Sequence, residues 1–207
     1  MSIKSEAAQS TREHILEVAR EQFFKKGYAA TSINTIVDAA RVTKPTVYYH
    51  FKSKEGLFVA LVEKAYDDSY EHRLASVDET AATSEQIYQV VAADFAFCLA
   101  QPELVQFVLS LTFSLPEEQS VDLRPIHQRD YEFFRDLIER GIKRGELRCA
   151  DVVSAALALQ GTIAINIVSL LKMGHAADFL SPERARAVAN VFLHGIIDQS
   201  SKKTKSN

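Results

Sequence analysis

Apolar residues recur every three or four positions along most of this chain, which is the spacing of amphipathic helices. An early example is the stretch that carries Ile33, Ile36, Val37 and Ala40. Turn-forming residues are few, with seven glycines and five prolines among 207 residues. Such a composition favours helices over turn-rich β folds. The sequence therefore predicts an all-α protein, with three short N-terminal helices and about six longer ones after them.

Capping signals place the first two helices. Ser10 and Glu13 form the Ser-x-x-Glu pattern of a capping box, which predicts that a helix opens at Ser10. Gly27 is well placed to end that helix, because glycine adopts positive φ angles easily. Thr31 is predicted to cap the second helix, which then continues to Ala40.

A short turn, Arg41-Val42, leads into a third helix that opens at Thr43. A connection of this length is typical of a helix-turn-helix. Only Val47 and Phe51 serve as apolar anchors in the third helix, and its other side chains carry mainly ammonium, hydroxyl and imidazole groups. Such groups, beside a helix N-terminus, suit a phosphate-bearing partner. We therefore predict that duplex DNA contacts Thr31, Ser32, Thr43, Lys44, Pro45, Thr46, Tyr48, Tyr49, His50 and Lys54.

The run Ala30–Phe58 resembles the signature of the TetR family of bacterial transcriptional regulators, and its core YYHFKSKE is the most specific part. The resemblance covers roughly the first quarter to third of the chain. Two positions depart from the family pattern. Arg41 stands where a turn glycine is usual, and Pro45 stands where glycine is common. A left-handed Arg41 would carry a strain of about 1 kcal/mol, whereas proline is tolerated in a first helical turn.

The resemblance implies a ligand-responsive repressor that binds a palindromic operator as a homodimer and is released by a small apolar or amphipathic effector. It also implies three segments: a helix-turn-helix domain over 1–53 with a mobile tail at 1–9, a helical effector-binding and dimerisation domain over 54–200, and a tail at 201–207. No catalytic motif, metal-ligand spacing or cofactor loop is evident, so we expect no enzymatic activity, no metal and no cofactor.

The effector cavity that the resemblance implies should lie among the middle helices. Aromatic residues at helical spacing are usually plain core, but two acids, Asp94 and Asp130, fall on apolar faces, where an unpaired carboxylate is costly. Two explanations stay open: salt bridges to Arg124, Arg129 or Arg135, or recognition of a cationic or hydrogen-bonding ligand. The predicted lining comprises Asp94, Phe95, Cys98, Phe107, Leu111, Asp130, Phe134 and Gln160.

The twenty residues Val152–Leu171 carry no charge and are long enough to span a membrane. Polar residues inside the run and the lack of flanking basic clusters argue against insertion. A helix that is apolar all round also suits an oligomer interface, because one side faces the core and the other a partner. In the family the last two helices form the dimer interface, which here implies Ala155, Ala158, Gly161, Ala189, Phe192, Leu193 and Ile196. Membrane association remains the alternative.

Charge is distributed unevenly along the chain. Residues 1–65 carry a net +3 and the remainder −6, for a total of −3. This polarity suits an N-terminal part that faces DNA and a body that does not. The first residues lack an apolar segment typical of a signal peptide. The two cysteines, Cys98 and Cys149, show no metal spacing, so the sequence predicts a cytoplasmic protein with ordinary thiols.

Overall fold

A computed structural model describes the backbone of residues 3–112, 124–174 and 179–194, and these residues form helices and no β-strand. The all-α prediction is therefore confirmed. The sequence pattern predicts body helices near 54–73, 84–100, 103–113, 123–144, 151–172 and 182–198. Where both ends are described, the observed helices agree with these within a few residues. The helices are α1 (Ile3–Ala30), α2 (Ile33–Ala40), α3 (Lys44–Phe51), α4 (Lys54–Ser76), α5 (Thr83–Ala100), α6 (Pro102–Thr112), α7 (Arg124–Lys143), α8 (Val152–Met173) and α9 (Pro182–His194).

The first helix begins earlier than the capping signal predicted. Helix α1 runs through Ser10 from Ile3, so the capping box at Ser10 is wrong. The residues before Ser10 contain no helix breaker, and the Thr11 hydroxyl donates to the Ala7 carbonyl, as it would inside a helix. Gly27 interrupts the helix as expected, with a φ of 78° and a ψ of 161°. The positive φ explains why glycine occupies this position.

The turn between α2 and α3 adopts the conformation that the sequence suggested. Arg41 is left-handed, with φ 54° and ψ 40°, and ends α2. Its backbone N–H donates to the Asp38 carbonyl at 3.4 Å, and the next N–H, of Val42, donates to the Val37 carbonyl at 3.2 Å. These bonds satisfy carbonyls that a helix end would otherwise leave unpaired. The strain expected at a left-handed arginine is therefore present.

The described chain divides into two compact units, which we call unit 1 (Met1–Glu71 and Gln101–Ile126) and unit 2 (His72–Ala100 and His127–Asn207). This grouping differs from the predicted boundary at residue 53, because α4 and α6 supply apolar side chains to the core beneath the helix-turn-helix. The buried core of unit 1 includes Ile15, Leu16, Phe23, Ile36, Val47, Phe51, Leu57, Phe58, Leu61, Leu104 and Val108. The reading surface of α3 thus rests on a core larger than three helices.

Unit 2 is built on α5, which packs against α8 and α9. Buried aliphatic residues line one side of each of these helices, such as Ala156, Leu159 and Ile163 on α8. On α9 the buried set is Ala185, Val188 and Ala189. These positions recur at helical spacing, so each helix presents a single face to the interior.

Candidate nucleic-acid interface

Helix α3 exposes its polar side chains because two apolar residues anchor it from below. Val47 is 1% exposed and Phe51 is 4% exposed, and both belong to the core of unit 1. On the outer side Tyr48 is 41% exposed and Tyr49 is 71% exposed. A phenol offers both a hydrogen-bonding hydroxyl and an apolar ring. The outer face of α3 is therefore suited to a partner with polar and flat groups.

The N-terminus of α3 is capped as predicted. The Thr43 hydroxyl accepts from the Thr46 backbone N–H at 3.4 Å and shares a hydrogen bond with the Thr46 hydroxyl at 2.8 Å. Pro45 lies in the first turn, where the missing N–H costs nothing. The exposed Lys44 stands beside this positive helix end. The first turn of α3 can therefore meet an anion with backbone and side-chain donors together.

His50 lies in the last turn of α3, half-buried between two aromatic neighbours. Its ring centroid is 5.0 Å from that of Tyr49 and 5.9 Å from that of Phe51. Lys52 follows with a positive φ of 68°, and its ammonium donates to the Tyr49 carbonyl at 3.3 Å. These contacts fix the end of α3 and leave the Tyr49 ring exposed.

At the start of α2 the two predicted phosphate contacts have different roles. Ser32, not Thr31, is the cap: its hydroxyl accepts from the Thr35 N–H at 3.1 Å, and the side chain is exposed. Thr31 is 1% exposed, and its hydroxyl contacts the carbonyls of Gly27 at 2.8 Å and Gln22 at 3.1 Å. The placement of Thr31 as cap and phosphate contact is therefore wrong, because its hydroxyl closes the end of α1.

The basic side chains of unit 1 differ in whether a nearby carboxylate neutralises them. Three on α1 and α4 are neutralised by carboxylates one helical turn away, in the pairs Arg20–Glu17, Lys25–Glu21 and Lys64–Asp68. Four around the helix-turn-helix have no carboxylate within 4.0 Å in the described part of the chain: Arg41, Lys44, Lys52 and Lys54. Cations that the protein itself leaves unneutralised are the ones that a DNA backbone can use.

Lys54, the last of the predicted contacts, is held by an aromatic ring. Its ammonium lies 4.2 Å from the ring centroid of Tyr28, on α1. The Tyr28 hydroxyl donates to the Glu55 carboxylate at 3.4 Å. Partial burial lowers the pKa of Lys54, an effect that Glu55 opposes. Burial, reinforced by Glu55, raises the pKa of Tyr28 to about 12.

The predicted effector residues are brought together only in part. Phe95, Cys98 and Phe134 are each 1% exposed and belong to the interior of unit 2, and Gln160 is half-buried. Burial raises the pKa of the Cys98 thiol to about 11, as expected of an ordinary core cysteine. The side chains of Phe107 and Leu111 lie outside the described residues. Membership of a ligand cavity stays a prediction for all six.

Asp94 and Asp130 form a buried cluster with Arg73, a residue that the sequence did not single out. Arg73 Nε donates to Asp94 Oδ1 at 2.8 Å, and Nη2 donates to Oδ2 at 3.2 Å. Nη1 donates to Asp130 Oδ1 at 3.2 Å. The cation is therefore Arg73 of α4, and the pairings suggested with Arg124, Arg129 or Arg135 are wrong. Arg73 lies near the C-terminal end of α4 among polar residues, so nothing in the sequence indicated that its side chain is buried.

This cluster holds two carboxyl groups and one guanidinium. All three residues are at most 8% exposed, and the guanidinium also lies 5.0 Å from the ring centroid of Phe134. Burial raises the pKa of Asp94, although Arg73 opposes that rise. The two carboxylates raise the pKa of Arg73 against the effect of its own burial. The cluster explains both acids without a ligand.

The predicted dimer residues lie partly on an exposed face. Ala158 and Gly161 of α8 are exposed, and the neighbouring Val153, Leu157 and Ile165 are 51%, 51% and 60% exposed. Ala155, Phe192 and Leu193 are half-buried, and Ile196 lies outside the described residues. Ala189 is 1% exposed, because α9 turns it toward the interior of unit 2. Its assignment to the dimer interface is therefore wrong.

Comparison with known proteins identifies relatives of this chain, first of all through its helix-turn-helix. Residues 15–61 match the family model described as bacterial regulatory proteins, tetR family. The repressor NicS of Pseudomonas putida is 29% identical over 149 residues, covering 70% of each chain. The probable transcriptional regulator YttP of Bacillus subtilis is 30% identical over 147 residues, covering 66% of this chain and 67% of the relative.

Solved structures extend the likeness across the body. The transcriptional regulator FadR from Bacillus subtilis, in complex with stearoyl-CoA, superposes with a TM-score of 0.77 at 21% identity. The match covers 89% of this chain and 99% of FadR. The segment that the family model matches, residues 15–61, contains the helix-turn-helix, the exposed face of α3 and the four cations without a carboxylate partner. The chain belongs to the TetR family of bacterial transcriptional regulators.

Proposed function

We propose that the protein is a cytoplasmic repressor that binds a palindromic operator as a homodimer and leaves it when a small effector binds. The observation that carries the proposal is the outer face of α3. There Lys44, Tyr48 and Tyr49 are exposed above two buried anchors. Lys44 and Thr46 would contact base edges, and Tyr49 and Lys54 the backbone.

The experiment is a binding titration with duplexes that the wild type selects from a random-sequence library. The double variant Tyr49→Ala, Lys54→Ala should lose about tenfold or more in affinity on every duplex, and Lys54→Ala alone should reduce the salt slope by about one unit. Lys44→Ala should change which duplex is preferred. Lys25→Ala is the matched control, because Lys25 already pairs with Glu21. Unchanged affinity in the double variant would refute the assignment.

The exposed face of α8 supports the homodimer. Leu157, Gly161 and Ile165 follow one another at helical spacing along that face. A two-fold axis there would present two copies of α3 to the halves of a palindrome, about 34–36 Å apart or somewhat more. Gly161→Arg tests this, because a Cβ at Gly161 meets nothing within 4 Å inside the protomer. The variant should become monomeric and lose operator affinity, whereas Ala75→Arg should stay dimeric. A monomeric wild type at micromolar concentration would overturn the proposal.

An effector of apolar or amphipathic character is proposed for the helices of unit 2. The related fold of FadR in complex with stearoyl-CoA supports that ligand class. A hundredfold release of DNA requires about 2.7 kcal/mol of differential affinity between the two states. Titrating the operator complex with saturated acyl-CoA and with a hydrophobic amine would test it. If the buried acids also anchor a cationic effector, Asp130→Asn should blunt only the response to the amine.

The membrane alternative also has an observation in its favour. Val152–Ser169 has a mean hydropathy of 1.7, and 17% of it is buried. Among the described residues, this is one helix whose length and composition would allow it to cross a bilayer. Membrane fractionation of the expressed protein separates the two ideas. Recovery of the wild type in the membrane pellet after a high-salt wash would favour the alternative.

A further inference from the structure

Tyr28 occupies an unusual position between the predicted DNA contacts and the core. Its ring packs against Phe23 and Phe58, with centroid distances of 5.5 and 4.9 Å. Its outer face lies 4.2 Å below the Lys54 ammonium. The ring is therefore fixed from behind by the core while it contacts a cation in front. A cation held over an aromatic face keeps its charge and most of its hydrogen-bonding capacity.

The neighbouring carboxylate, Glu55, contacts the same tyrosine. Glu55 follows Lys54 in the chain, yet the two form no ion pair within 4.0 Å. The Glu55 backbone N–H and the Ser53 side chain, with smaller contributions from Tyr28 and from the Lys54 charge, lower the pKa of Glu55. The Tyr28 hydroxyl donates to the same carboxylate at 3.4 Å. Tyr28 thus contacts both charged groups, Lys54 with its ring and Glu55 with its hydroxyl.

We propose that Tyr28 is a positioning residue for DNA binding, which holds the Lys54 ammonium over its ring so that a DNA phosphate can accept from it. The inference rests on the proposed function and extends it to a residue that does not itself touch DNA. Pre-placing a long, flexible lysine reduces the entropy lost when it binds a phosphate. The cation–π contact itself supplies part of this order, at the low energy typical of exposed sites.

The ring and the hydroxyl can be tested separately. Tyr28→Phe keeps the ring over which Lys54 lies, so operator affinity should stay within about twofold of wild type. Tyr28→Leu removes the ring, and affinity should fall about three- to fivefold with a smaller salt slope. A merely structural loosening would lower the affinity without changing the salt slope.

The decisive experiment is a double-mutant cycle on Tyr28 and Lys54. The four proteins are wild type, Tyr28→Leu, Lys54→Ala and the double variant, titrated over a range of salt with a labelled mixed-sequence duplex of about 30 bp, enough for two half-sites. Thermal unfolding of each protein checks the fold. If Tyr28 acts through Lys54, Tyr28→Leu should cost nothing further once Lys54 is alanine.

Additive losses would overturn the inference and leave the proposed function intact, because wild type and Lys54→Ala would still differ. Failure of the wild type to bind any duplex would instead overturn the proposed function, and the inference with it. If Tyr28→Leu proves unstable, Tyr28→Phe with Glu55→Gln gives a second test. Releasing and neutralising Glu55 should then leave affinity at or above the wild-type value, and a loss equal to that of Lys54→Ala would contradict the role assigned to the ring.

Discussion

Replacing Arg73 by methionine should destabilise the protein far more than an ordinary arginine substitution. The guanidinium makes three hydrogen bonds to Asp94 and Asp130, at 2.8, 3.2 and 3.2 Å. At about 4 Å between charges and an effective dielectric of 20, each pair is worth about 4 kcal/mol before desolvation. Removing one partner of a buried pair usually costs about 3–5 kcal/mol, because the remaining charge is left uncompensated. We expect a loss in that range.

The assay is urea unfolding at neutral pH, supported by thermal melts. A loss of this size should lower the melting temperature by about 6–20 °C, given about 2–4 °C per kcal/mol for a chain of this length. Arg135→Met is the matched control, because the Arg135 side chain is 37% exposed and pairs with two exposed acids, Asp136 and Glu139. Its cost should stay below about 1 kcal/mol. A free energy of unfolding for Arg73→Met within about 1 kcal/mol of wild type would refute the reasoning.

The origin of the loss can be checked through its acids and through pH. Adding Asp94→Asn and Asp130→Asn to Arg73→Met should recover much of the stability, since the uncompensated charges are gone. Burial raises the folded-state pKa of Asp94 above its ordinary 3.8. The native state therefore binds a proton that the unfolded state lacks, and the stability from this group grows as pH falls through the folded pKa toward 3.8. Without Arg73 this pH dependence should become steeper. A free energy of unfolding of Arg73→Met that does not change with pH would contradict this account of Asp94.

Three further outcomes are expected. Gly56→Ala should lower the melting temperature and operator affinity together, because its Cβ would lie 2.0 Å from the Phe51 carbonyl oxygen. A Cβ at Gly161 meets nothing within 4 Å, so Gly161→Ala should raise the free energy of unfolding by up to about 1 kcal/mol through helix propensity. Thr31→Val should lower the free energy of unfolding by about 1 kcal/mol, because the hydroxyl bonds to carbonyls of α1. The salt dependence of DNA binding should stay unchanged, and a reduced salt slope would show that Thr31 does contact a phosphate. Ala189→Arg should unfold unit 2, measured as a lost cooperative melt, rather than yield a folded monomer.

The sequence alone determined the features of this protein that are local. The helical period, the Thr43 cap, the two-residue turn at Arg41 and the two anchors of α3 depend on residues a few positions apart. Local propensity and side-chain spacing therefore predict them. The same holds for the exposed tyrosines, because two apolar anchors on an eight-residue helix leave the other positions outside.

Tertiary structure decided which distant residues meet. Arg73 is 21 and 57 residues from its two acids, and nothing in its own neighbourhood marks it as buried. Thr31 turned inward because α1 supplies carbonyls for its hydroxyl, and Ala189 because α9 packs against α5. Lys54 of α4 contacts the ring of Tyr28 on α1. Partners of this kind depend on how helices pack, and one helical face can be predicted from sequence while its neighbour cannot.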